Sequence, residues 1–132
     1  MKRIEWMRIA AEKILQRFDF IKVSINSIEF ATGTVKSAKG TCEFRGDGRF
    51  IIYLSDSINS SQDALEVILH ELCHAHCFAK KGGRHRGHDI FFEQVARRAG
   101  LTGQLKSTAA SFGLQHRFNK IITEIGSIPN TL

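Results

Sequence analysis

Proline is almost missing from this chain: Pro129 is the only one in 132 residues. With so little proline and no low-complexity tract, long disordered linkers are not expected. Cysteine is also scarce, and odd in number, at Cys42, Cys73 and Cys77. Two of these flank His74 on one predicted helix, which argues against a disulfide framework and for a reducing interior. No apolar run approaches the ~18 residues that a membrane-spanning helix needs. The opening residues, Met1 to Trp6, pass straight into helical periodicity that contains Glu5 and Glu12. No signal peptide is therefore expected, and the chain reads as cytoplasmic, with no membrane partner. Acidic residues are the minority, 13 against 19 Lys and Arg, for a formal charge of +6. That balance suits nucleic acid or another acidic partner, and it equally suits a protein that merely has a positive surface. No internal repeat is present.

What is there suffices for a core. Hydrophobic residues make up 42% of the chain, ten of them Phe, and the length is most economically one domain over residues 1–132. Residues 3–18 place Ile4, Met7, Ala11, Ile14, Leu15 and Phe18 at three- and four-residue spacings, an amphipathic helix that should cover one face of a sheet. From Ile21 the period changes to two, with Ile21, Val23 and Ile25 alternating with polar residues, which predicts a half-buried strand. Residues 31–40 read as a loop or bent strand. Thr41–Phe44 and Arg49–Leu54 flank Arg45-Gly46-Asp47-Gly48, a strong turn signal, so a hairpin is expected. Its second arm is apolar almost throughout and should be well covered, and Cys42 in the first arm reads as a small buried hydrophobe.

A helix follows from about Ser61 to Lys80. Ser60, with Asp63 three residues on, resembles a capping box, and Lys80 and Lys81 followed by Gly82-Gly83 mark the end. A second helix should start near His88 or Asp89, bury Phe91, Phe92, Val95, Ala96 and Ala99, and close at Gly100. Phe112–Ile125 has partial helical periodicity, and Gly126 to Pro129 ends regular structure.

The chemistry-bearing stretch is His70-Glu71-Leu72-Cys73-His74, a match to H-E-x-x-H. Positions i and i+4 share a helix face, so both imidazoles can reach one metal ion. Glu71 lies about 100° round from His70, within reach of a water on that metal. Zinc gives such a water a pKa of about 7 and a carboxylate can take its proton, which is the layout of a zinc hydrolase. The plain alternative is a pair of histidines on an ordinary core helix. The capped and glycine-terminated frame favours metal, because it makes the i,i+4 spacing meaningful. A catalytic zinc wants three protein ligands and an open position. Gly at 77 and His at 80 would mark a metzincin; Cys77 and Lys80 exclude that class. Glu93, His85, His88 and Cys77 remain as third-ligand candidates. His76 points about 200° away from His74 and reads as a surface or core residue, His85 as a loop residue, and His116 has no metal-like spacing.

HELCHAH, with Gly87-His88-Asp89-Ile90-Phe91-Phe92 fourteen residues after His74, resembles the SprT-like metallopeptidase family, the Spartan-like protease domain. The resemblance covers about residues 40–100, including the strand at Ile51–Ser55. More loosely, the end of the chain resembles short prokaryotic and phage members. It implies a zincin-like fold, His70, His74 and His88 as ligands of one Zn2+, Glu71 as general base, and protein substrates, DNA-associated or DNA-crosslinked, as in DNA repair. Asp89 stands where the family usually has Gly, which would change the loop or supply a partner to a histidine. No cysteine follows Cys77, so the four-cysteine zinc ribbon of many members, with any DNA contact it makes, is not implied.

The loop between the ligand-bearing segments carries Lys80, Lys81, Arg84 and Arg86 without one acidic residue. Lys80 and Lys81 complement the helix dipole; Lys81, Arg84 and Arg86 would also form a positive rim for DNA backbone or an acidic substrate. The expectation is one α+β domain: an N-terminal helix, a small sheet of about three strands, the H-E-x-x-H helix and a covering helix. Its expected activity is zinc-dependent endopeptidase. The alternative is a zinc-stabilised DNA-binding or adaptor protein with weak or no proteolysis, against which the intact Glu71 argues.

Overall fold

A computed structural model describes residues 1–34, 38–82 and 84–132. Among the described residues the elements are α+β: four α-helices, a three-stranded sheet and a two-stranded ribbon. Helix α1 (Arg3–Arg17) buries Trp6, Met7, Ala10, Ala11 and Ile14. Its apolar stripe is thus rotated from the expected one: Trp6 and Ala10 are in, while Ile4 is exposed and Leu15 half-buried. Arg3 takes a place on the same face because its guanidinium is satisfied there. It donates to the carbonyls of Pro129 at 2.7 Å and Ile58 at 2.6 Å and to Asn59 Oδ1 at 2.9 Å, so no buried charge is left without acceptors.

The predicted strand at Ile21–Ile25 is not one. Those residues run irregularly into a short 3-10 turn at Ile25–Ser27. The strand, β1 (Ile28–Gly33), begins just after, within and ahead of the stretch read as a loop. Both segments alternate in polarity over a few residues; pairing decides between them. The N–H of Lys22 is taken by a side chain, His76 Nδ1, at 2.8 Å. Ile28 to Gly33 instead pair in parallel with Phe50 to Ser55. Residues 35–37 of the expected loop, and Gly83 of the expected helix stop, lie outside the described residues.

The hairpin is present, one residue longer at each outer end and two residues longer at the turn end of its first arm than the pattern predicts. Strands β2 (Gly40–Gly46) and β3 (Arg49–Ser55) are antiparallel, and Asp47 and Gly48 at the turn have φ of 46° and 77°. Positive φ at both central residues suits the right-handed twist of the arms and explains the Asp-Gly pair. The strand order is β1-β3-β2. Apolar β3 is therefore central, with Phe50, Ile51, Ile52 and Leu54 all buried, and β2 is an edge. Gly40 at its start is obligatory for packing. A Cβ there would lie 2.5 Å from Val67 Cγ1 and 2.7 Å from the carbonyl oxygen of Tyr53.

Helix α2 (Ser61–Lys81) crosses the middle of the molecule, against α1, α3, α4 and the sheet. Ser60 Oγ accepts from the backbone N–H of Asp63 at 3.2 Å, and Gly82 closes the helix at φ 59°. Leu65, Ile68, Leu69 and Leu72 are wholly buried, each contributing about 1.5–3 kcal/mol of burial free energy. Helix α3 (Ile90–Ala99) is capped by Asp89, whose Oδ1 accepts from Phe92 N–H at 2.9 Å, and ends at Gly100. Beyond it the structure adds something the sequence does not show. Strands β4 (Leu101–Thr102) and β5 (Ala109–Ala110) form a small antiparallel ribbon that brings residues 103–108 back over α2. Helix α4 (Phe112–Ile125) has the bounds its periodicity predicts, with Ser111 Oγ capping Leu114 N–H. Among the described residues no helix is long and apolar enough to cross a membrane.

Candidate metal centre

His70 and His74 lie mid-helix on α2, so their backbone is fixed by the most buried element of the fold. His88 comes from the segment between Gly82 and α3. The three Nε2 atoms converge: His88 Nε2 is 3.2 Å from that of His70 and 3.2 Å from that of His74. One ligand atom from each of the three lies within 4.8 Å of the others. Zinc–nitrogen bonds of about 2.0–2.1 Å at tetrahedral angles put ligand nitrogens roughly 3.3–3.4 Å apart, so this donor set fits one such ion. Phe92, fully buried, packs beneath the cluster, stacked on His74 at 4.2 Å between ring centroids and 5.0 Å from both His70 and His88.

The outer nitrogens determine which way the inner lone pairs face. His70 Nδ1 is 2.8 Å from Thr108 Oγ1, delivered by the β4–β5 ribbon. His74 Nδ1 is 2.9 Å from His85 Nε2. With protons on the Nδ1 atoms of His70 and His74, both Nε2 lone pairs point into the cluster, the arrangement a metal ligand needs. Burial, reinforced by His88, pushes His70 down to about 4. Burial, then its neighbours His70, His88 and His85, holds His74 far below the usual histidine range. Neutral imidazoles with free lone pairs are the result.

Glu71 faces the same cavity, which has a volume of about 830 Å³ and is lined also by Cys42, Glu66, Lys39, Lys106 and Phe78. Among the described residues its carboxylate takes no hydrogen bond. Burial, and then Glu66, raises its pKa to about 8. Cys42 is half-buried and lines this cavity beside Glu71; it is not the core hydrophobe its strand position predicts, because β2 is an edge whose inner face meets the cavity.

Of the four third-ligand candidates only His88 joins the cluster. Glu93 pairs with Arg97 at 3.9 Å on α3, and Cys77 is fully buried; neither belongs to the group that could hold the ion. His85 is in the loop, as expected, but it is buried against His74 rather than solvated. His76 points away, as its helical angle predicts, and accepts from Lys22 N–H. His116 is exposed. Lys81 is engaged by Asp89 at 3.3 Å and lies over the Phe91 ring, and Arg84 Nε turns back to the carbonyl of Lys81. Among the described residues, the lysines that line the cavity are Lys39 and Lys106, and Lys81, Arg84 and Arg86 do not. Sequence reasoning missed Thr108 altogether, since a lone threonine in a small polar stretch carries no signal. His85 was visible as a ligand candidate, but its place behind His74, eleven residues back, is not carried by any spacing.

An α+β fold with three histidines converging beside a glutamate on a central helix defines a site of metalloprotease type. A family model described as the SprT-like family matches residues 5–121, most of the chain. This protein belongs to the SprT-like family. Comparisons with curated proteins and with solved structures return no match.

Proposed function

We propose that this protein is a zinc-dependent endopeptidase. The observation that carries the reading is the convergence of three imidazole Nε2 atoms next to the Glu71 carboxylate in an open cavity. When bound there, zinc supplies Lewis acidity toward a water molecule and a carbonyl oxygen. Glu71 is the base: its carboxylate takes the proton of the attacking water and returns it to the leaving amine. In the metal-free chain burial and Glu66 raise this carboxyl to about 8; the positive charge of a bound ion beside it would favour the carboxylate form that a base needs. The polypeptide substrate is supported by β2. It is one of the two edges of the sheet, and its residues Gly40, Thr41 and Cys42 line the cavity, so an extended peptide can add to that edge by backbone pairing. Glu71→Gln should bind zinc as wild type does and cleave an unfolded protein substrate at least ~100-fold more slowly. Undiminished cleavage by that variant would remove Glu71 from the mechanism.

A nucleic-acid partner is favoured by a separate observation. On the other face of α2 a hollow of about 360 Å³ is walled by Phe20, Phe91 and His76 and ringed by Lys22, Lys80 and Arg98. Among the described residues none of these three cations has an ion-pair partner, and Arg98 lies 4.3 Å over the Phe20 ring. Cations beside flat rings suit phosphates and stacked bases. Binding of a single-stranded oligonucleotide should weaken steeply with salt, and Lys80→Glu combined with Arg98→Glu should reduce it while leaving zinc binding unchanged. An affinity indifferent to both changes would discard this partner.

A further inference from the structure

We propose that His85 and Asp89 are positioning residues that hold His74 in its ligand form through a carboxylate–histidine–histidine chain. The inference rests on the metal reading above and assigns it two residues outside the ligand set.

His85 Nε2 and His74 Nδ1 are 2.9 Å apart, so one proton lies between them and there are two ways to place it. If His85 Nε2 carried it, His74 Nδ1 would be the acceptor. His74 would then bear its own proton on Nε2, directed at His88 Nε2 3.2 Å away, with no lone pair for an ion. His85 Nδ1 would present a bare lone pair toward Asp89 Oδ2 at 3.7 Å, a repulsive pairing. If His74 Nδ1 carries the proton, both faults vanish. His74 Nε2 offers its lone pair to the cluster, and His85 carries its proton on Nδ1, toward the carboxylate. At 3.7 Å that approach is longer than a direct hydrogen bond. It is close enough for the charge of the partly exposed carboxylate to favour an N–H over a lone pair on the fully buried His85 ring.

The chain is built rigidly. The His85 side chain is fully buried and its ring stands edge-on against Phe78, 4.8 Å between centroids. Its Nδ1 has no hydrogen-bond partner among the described residues, so Asp89 is what it faces. Asp89 is itself fixed by the N-terminus of α3, through Oδ1 to Phe92 N–H at 2.9 Å, and by Lys81 on Oδ2 at 3.3 Å. The carboxylate at this position thus does two things: it starts the helix that carries Phe92 under the cluster, and it sets the tautomer of the histidine behind a ligand.

The test is zinc affinity, measured by competition with a chromophoric chelator, together with the visible spectrum of the Co2+-loaded protein. His85→Phe keeps a buried ring but removes the acceptor, and should weaken zinc binding by about 10–100-fold and alter the cobalt spectrum. His85→Gln places an amide oxygen near the Nε2 position and should recover most of that loss. Asp89→Asn still caps α3, so the metal-free protein should melt near wild type while zinc binding weakens by up to about tenfold. Zinc affinity of His85→Phe within about twofold of wild type would overturn the inference. If His85→Phe fails to fold, a wild-type zinc affinity in Asp89→Asn overturns the carboxylate's role, and no better binding by His85→Gln than by His85→Ala overturns that of His85. Wild-type protein that binds no zinc would overturn the metal reading itself, and the chain with it.

Discussion

One cause, burial, acts in opposite senses on neighbouring residues of α2. In the metal-free chain it holds His70 and His74 neutral, each with a single ring proton, and raises the proton affinity of Glu71, because in each case the uncharged form is cheaper away from water. Glu66, one turn before His70 and in the same cavity, obeys the same rule. Burial raises it to about 7, with Lys39 pulling it down and Asp63 pushing it up. The direction sets a pH dependence. Below about 4.5, the ordinary carboxyl value, Glu66 is protonated in both folded and unfolded chains and costs nothing. As pH rises to about 7 the unfolded chain ionises freely while the folded one resists, so stability falls, and above 7 the full cost is present. Glu66→Gln should therefore raise the melting temperature of the metal-free protein at pH 8 and leave it nearly unchanged at pH 4.5. An equal shift at both pH values would mean that the charge of Glu66 is not what matters.

At the scale of elements, the site depends on how closely β2 approaches α2. Gly40 is the contact point, and its neighbours are a helix side chain and a strand carbonyl of β3, neither of which can retreat without moving its element. Gly40→Ala should cost about 1–3 kcal/mol in urea denaturation. Because a Cβ at position 40 would also lie 3.8 Å from Glu71 Cγ, the substitution should lower activity beyond the loss of folded protein. A variant as stable as wild type would show that the strand yields more easily than the contacts imply. The β4–β5 ribbon plays the complementary part on the other side. Two residues per strand supply little stability, yet they deliver Thr108 to His70 Nδ1.

For the whole molecule, the three candidate ligands come from two segments, and the partners of the outer nitrogens of His70 and His74 from a ribbon and a loop outside α2. An ion at the cluster would tie these parts together and bind the folded chain alone. Zinc at about 1,000 times its dissociation constant should stabilise folding by about 4 kcal/mol. Thermal melting should move up on adding zinc and back down on adding a chelator, for Glu71→Gln as for wild type. A melting temperature indifferent to both would be incompatible with the cluster as a metal site.

Much of this was legible in the chain itself, and the reason is locality. The H-E-x-x-H pair, the Ser60 cap and Gly82 stop of α2, the Asp-Gly turn and the bounds of α4 depend on residues within a few positions of each other. His88 as third ligand needed the family resemblance to select it over Glu93, His85 and Cys77. Locality also explains the errors. The alternation at Ile21–Ile25 matches that at Ile28–Phe30, and only a partner strand, β3, distinguishes them. The rotation of α1 depends on acceptors for Arg3 more than fifty residues away. The pairings of His70 with Thr108, of His74 with His85, and of Lys22 with His76 link segments that no periodicity connects. So does the gathering of Lys22, Lys80 and Arg98 about one hollow. By itself, then, the sequence singled out the histidines and the glutamate of the candidate site, and the helix that carries His70, Glu71 and His74. The tertiary structure decided which atoms face one another, because that depends on packing between elements and not on the order of residues within them.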